Sequence, residues 1–94
     1  MQDKYHITFG KRRTTLTVDS ILSEMMAIKL KVEPRSEKAY SLIRQWLQKN
    51  VPEKLGVSRG RKNASQWTRR YLIEEIVDRK ISNAWADWHI NENS

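Results

Sequence analysis

The chain has 94 residues, with 18 Lys and Arg against 11 Asp and Glu, a formal charge of +7 and a pI near 10.0. That length makes one domain, able to bury a core but small enough to gain from dimerisation. The absence of Cys excludes disulfides, thiolate metal sites and thiol catalysis. The positive excess points to a polyanionic partner, because Lys and Arg that displace counterions from nucleic acid gain affinity whatever its sequence. No apolar run approaches ~18 residues, and MQDKYHITFG lacks the apolar centre of a signal peptide. A soluble, cytoplasmic protein without membrane contact is expected.

Tyr5, Ile7 and Phe9 alternate with His6 and Thr8, which predicts a first strand. Gly10-Lys11 follows, with Gly in the first central position that a type II′ hairpin turn requires. Lys11 to Val18 (KRRTTLTV) then reads as a second strand with two unlike faces. Pairing Phe9 with Arg12 sets Ile7 against Thr14 and Tyr5 against Leu16. One face is then apolar, extended by Val18, while Lys4, His6, Thr8, Arg13, Thr15 and Thr17 share the other. A guanidinium and two hydroxyls on a strand suit base edges and phosphates. A merely solvated strand face would have the same pattern.

Asp19 or Ser20 is placed to cap a helix carrying Ile21, Leu22, Met25, Met26, Ile28 and Leu30, and Pro34 is expected to end it. The paired Met read as core filling. Ser36 caps a second helix, with Glu37 in its first turn and Ala39, Tyr40, Leu42, Ile43, Trp46 and Leu47 on its buried side. Residues 52–62, with Pro52, Gly56 and Gly60 among charges, read as a basic loop. Its Arg59-Gly60-Arg61-Lys62 could enter a narrow A·T minor groove or simply be solvated. Asn63 or Ser65 begins a third helix predicted to run to about residue 89. Its stripe of Trp67, Tyr71, Ile73, Val77, Ile81, Ala84, Trp85 and Trp88 is more than a small chain covers, with Leu72 and Ile76 on the opposite side. A partner chain is expected on Trp67, Tyr71, Val77, Ile81, Trp85 and Trp88.

The expected architecture is α+β and mainly helical, a single domain of order ββααα: hairpin 5–18, helix pair 20–51, loop 52–62, long Trp-rich helix 63–89. Charge is uneven along it. Residues 52–70 hold six basic side chains and one acid, and residues 71–94 hold two basic and five acidic ones, which suggests a basic working surface and a more neutral rear. No constellation for catalysis is present. His6 and His89 lack companions at metal-ligand spacing, and no Gly-rich phosphate loop or nucleophile elbow occurs. Neither an enzyme, a bound metal nor a cofactor is expected. Glu74, Glu75 and Asp78 read as a solvated acidic helix face beside Arg70, Arg79 and Lys80.

The order of strand RRTTLTV, helix from Ser20, turn VEPRS and helix from Ser36 resembles the ribbon-helix-helix DNA-binding family, over about residues 12–50. The resemblance implies a homodimer whose paired strands enter the major groove. Arg13, Thr15 and Thr17 would then face bases, and Arg35 with the amides near Ser36 would hold a phosphate. It also implies a bacterial repressor, antitoxin or mobile-element accessory factor. The family has one N-terminal strand where Tyr5–Phe9 supplies a second here, so the strands could pair within one chain or between two.

Three functions follow. The first is binding of double-stranded DNA through Lys11, Arg12, Arg13, Thr15, Thr17, Arg35, Ser36, Arg59, Arg61 and Lys62. The second is a protein-interaction module docking through the Trp-rich helix, since Trp and Tyr are common binding hot spots. RNA binding ranks third, because Tyr5 and Phe9 fall on the apolar face rather than on an exposed one.

Overall fold

Gly10 sits at φ 61 while Lys11 keeps a negative φ, the combination of a type II′ turn. It joins β1 (Gln2–Phe9) to β2 (Arg12–Asp19) in a two-stranded antiparallel sheet, so the hairpin closes within one chain. Tyr5 lies opposite Leu16, Ile7 opposite Thr14 and Phe9 opposite Arg12, as the alternation predicts. The computed structural model describes residues 2–55 and 64–92. Arg59, Arg61 and Lys62 of the expected basic loop lie outside the described residues.

Four helices follow rather than three: α1 (Ser20–Lys29), α2 (Glu37–Leu55), α3 (Ala64–Ile76) and α4 (Arg79–Glu92). The expected long third helix is interrupted at Val77-Asp78. Asp78 caps the fourth helix, its Oδ1 accepting the Ile81 amide at 2.8 Å and its carbonyl accepting the Ser82 amide at 2.9 Å. A side chain that satisfies an otherwise orphaned amide starts a new helix more readily than it continues an old one. The break divides the helix, so the Trp67-to-Trp88 stripe does not run along one continuous helix. The row that α3 buries is Ala64, Thr68, Leu72 and Ile76, spaced by four. Leu72 and Ile76, expected opposite the main stripe, are core residues at 0 % and 2 % exposure.

Two other boundaries differ from expectation. The first helix ends five residues before Pro34: Lys31 takes φ 62, the Lys31 amide bonds the Ile28 carbonyl, and the Val32 amide bonds the Ala27 carbonyl. That is a Schellman closure with Lys where Gly is usual. The second helix does not stop at Val51 but continues through Pro52 to Leu55. A proline in the last turn removes one helix hydrogen bond, but Val51 is fully buried there and anchors the turn to the core. The expected cap of this helix is present, with the Ser36 hydroxyl accepting the Ala39 amide at 3.0 Å.

The apolar hairpin face (Tyr5, Ile7, Phe9, Leu16, Val18) packs in one core with Leu22, Met25 and Met26 of α1, Ile43 and Leu47 of α2, and Leu72 and Ile76 of α3. Each fully buried aliphatic side chain contributes roughly 1.5–3 kcal/mol through removal from water. α4 has no buried residue and rests on the core through half-buried Ile81 and Trp85.

Candidate nucleic-acid interface

Burial of one hairpin face fixes the other outward. Lys4, His6, Thr8, Arg13 and Thr15 are exposed there and Thr17 is half-buried, with Lys11 and Arg12 exposed at the turn. Arg12 has the parity of the buried face but escapes burial at the hairpin end. Across the strands Lys4 pairs with Thr17, His6 with Thr15 and Thr8 with Arg13. His6 Nδ1 lies 3.0 Å from the Thr15 hydroxyl, which orders the centre of the face. Between residues 4 and 18 there are four cations and no carboxylate. Lys4, Lys11, Arg12 and Arg13 form no ion pair with any described residue. Four uncompensated charges beside hydroxyls on a narrow ribbon make a surface suited to phosphate oxygens and base edges.

Both sides of the ribbon are bounded by helices. On the β1 side, Gln48 of α2 accepts the Thr8 amide at 2.8 Å and donates to the Thr8 carbonyl at 3.0 Å. Farther along, the Tyr40 hydroxyl donates to the Lys4 carbonyl at 3.2 Å, and the Tyr40 ring stacks on Tyr5 at 4.9 Å. On the β2 side, Ser65 of α3 accepts the Thr17 amide at 2.9 Å. Arg69, one turn on, pairs with Asp19 at 2.6 Å. Backbone groups that would otherwise invite another strand are thus occupied at Lys4, Thr8 and Thr17. Sequence reasoning found the face itself but not Tyr40, Gln48, Ser65 and Arg69. Their partners stand 36 to 50 residues away, beyond any local pattern.

Arg35 and Ser36 are elsewhere. Arg35, held at φ 70, donates through Nε and Nη2 to Glu24 Oε2 and through Nη1 to Asp3 at 2.9 Å. Burial alone would lower its pKa, but the bonds to Glu24 and Asp3 outweigh that and raise it. The other Glu24 oxygen accepts the Trp85 indole at 2.8 Å. One carboxylate therefore joins α1, the α1–α2 turn and α4, and Asp3 adds β1. A phosphate at Arg35 would have to displace two carboxylates. Ser36 spends its hydroxyl on the Ala39 amide and the Glu33 carbonyl. Neither residue lies on the hairpin's polar face.

The expected aromatic interface is dispersed. Tyr71 stacks on Trp46 at 5.7 Å, Trp85 binds Glu24, and the Trp88 indole donates to Glu33 at 3.1 Å. Tyr71, Val77, Ile81 and Trp85 pack against the chain's own core, which leaves Trp67 the most exposed of the set at 38 %. Among the described residues no helix is long and apolar enough to cross a membrane, and no three His, Asp or Glu side chains gather to hold a metal. No protein-family model, curated protein or solved structure matches this chain.

Proposed function

We propose that this protein binds duplex DNA through the polar face and turn of its hairpin, as a small regulatory DNA-binding factor. The observation that carries the reading is the cationic face and turn, where Lys4, Lys11, Arg12 and Arg13 are exposed and unpaired among the described residues, while Asp19, at the far end of β2 on the polar side, is held by Arg69. The neighbouring acids are largely offset, because Arg69 pairs with Asp19 and Arg35 bridges Asp3 and Glu24, which leaves that cluster one net negative charge, away from the polar face. Lys and Arg contact phosphates, which gives affinity. Arg13, Thr15 and Thr17 face the groove, which gives preference among sequences.

A salt series on random duplex DNA tests this. Contact with four phosphates gives log K a slope of about −3.6 against log salt, at about 0.9 per phosphate neutralised. A protein that ignores DNA at low salt, or binds it with no salt dependence, does not work this way. The Trp-stripe docking reading has less support, because the break at Val77-Asp78 divides the stripe and two of its indoles donate within the chain.

A further inference from the structure

We infer that the DNA-binding surface continues from the hairpin onto α2, where Arg44 contacts backbone phosphate, and that a single chain carries this composite surface whole. The inference rests on the hairpin reading above. Two fixed points set the alignment of α2 along β1: Tyr40 bonds Lys4, and Gln48 bonds Thr8. Eight helical residues rise about 12 Å at 1.5 Å each. Four strand residues span about 13 Å at 3.3 Å each. The two segments match in length and run in the same direction, so α2 lies beside β1 in register.

Arg44 is midway between Tyr40 and Gln48, on the same helical face, since residues four apart lie one above another. It stands level with His6 and therefore with the His6–Thr15 pair at the centre of the polar face. It is exposed and forms no ion pair among the described residues. Its helical neighbours Tyr40, Ser41, Leu47 and Gln48 include no acid. Arg44 thus adds a fifth uncompensated cation, displaced sideways from the ribbon by one helix. A duplex laid on the hairpin presents phosphates on both sides of its groove, and a cation beside the ribbon meets one of them. The same bonds argue for a single chain. Gln48 and Tyr40 occupy the β1 edge at Thr8 and Lys4, so a second protomer's strand could pair there only by displacing α2, and Ser65 takes the Thr17 amide on the β2 edge.

The test compares three variants of the full chain with wild type on one short random duplex across a salt series. Arg44→Ala should flatten the log–log slope by about 0.9, which from 1 M to 0.1 M salt amounts to roughly eightfold weaker binding at the lower concentration. Arg44→Lys should keep the wild-type slope, since a phosphate needs the charge. Lys80→Ala, an equal charge change on exposed α4, should leave the slope unchanged. Sedimentation of the complex on a duplex of one site should give one chain per DNA. If wild type binds and Arg44→Ala matches Lys80→Ala, or Arg44→Lys loses as much as Arg44→Ala, the α2 extension is wrong and the hairpin reading stands. Binding only as two chains per site overturns the single-chain surface. Wild type that fails to bind at low salt overturns the hairpin reading, and this inference with it.

Discussion

Replacing Glu24 with Ala should destabilise the protein more than any single change among the charged side chains that contact one another. Its carboxylate is 12 % exposed and accepts two bonds from Arg35 and one from Trp85. A hydrogen bond to a charged group contributes roughly 1.5–3 kcal/mol when buried. Arg35, 40 % exposed, retains Asp3 and can be rehydrated, so its two bonds together count as about one. The Trp85 indole, half-buried against the core, loses its partner and adds about 1 kcal/mol. The expected loss is about 2.5–4 kcal/mol, and a domain of this size shifts in Tm by roughly 4–8 °C for each kcal/mol. Thermal unfolding by circular dichroism should therefore show Glu24→Ala melting at least about 10 °C below wild type. Hydrogen exchange should show α4 opening first, because that helix has no buried residue of its own. Glu24→Gln, which keeps an acceptor for Trp85 but loses the charge opposite Arg35, should fall between the two. A Tm for Glu24→Ala within about 2 °C of wild type would refute the idea that this carboxylate ties three elements together.

Other expectations are as direct. Thr68 is fully buried with no partner for its hydroxyl among the described residues, so Thr68→Val should raise stability by about 1 kcal/mol in urea titration, the hydroxyl's desolvation cost being relieved. Lys31→Gly should also stabilise, by up to about 1 kcal/mol, because φ 62 strains a side chain that glycine lacks. Burial raises the pKa of the Tyr5 phenol, against a smaller opposing effect of its bond to Ser23. A raised folded pKa means that the unfolded chain releases the proton first, so the contribution of Tyr5 is intact below about pH 10 and declines as pH climbs above it. Alkaline unfolding followed by tyrosinate absorbance should show Tyr5 ionising together with loss of structure, and ionisation well before unfolding would contradict this. Arg35→Ala should lower Tm yet leave the salt slope of DNA binding unchanged, whereas a Lys or Arg that grips phosphate would do the reverse.

How much of this was legible in the chain depended on how local each cause is. The hairpin register could be read because two strands with period-two patterns and a Gly10 turn agree on one apolar face. The cap at Ser36 was equally local. The break before α4 was not recognised, because Asp78 reads equally well as one more acid beside Glu74 and Glu75. Only its bond to the Ile81 amide identifies it as a cap. The end of α1 was misplaced because a Schellman closure on Lys31 leaves no Gly to mark it. Arg35 looked like a phosphate ligand beside a helix start. Its partners Asp3 and Glu24, 32 and 11 residues away, come together only when β1 and α1 pack. Gln48 was invisible for the same reason, since α2 had to be laid along β1 before it met Thr8.

The central claim, that the hairpin's polar face holds duplex DNA, is tested most directly by the double variant Lys4→Ala/Arg13→Ala. Both side chains are exposed, so the fold should survive with wild-type circular dichroism. Measured against one duplex from low to high salt, the variant's slope should be shallower than wild type by about 1.8, at about 0.9 for each phosphate contact removed. A variant that binds with the wild-type affinity and slope would show that DNA is held elsewhere and that this face is only solvated.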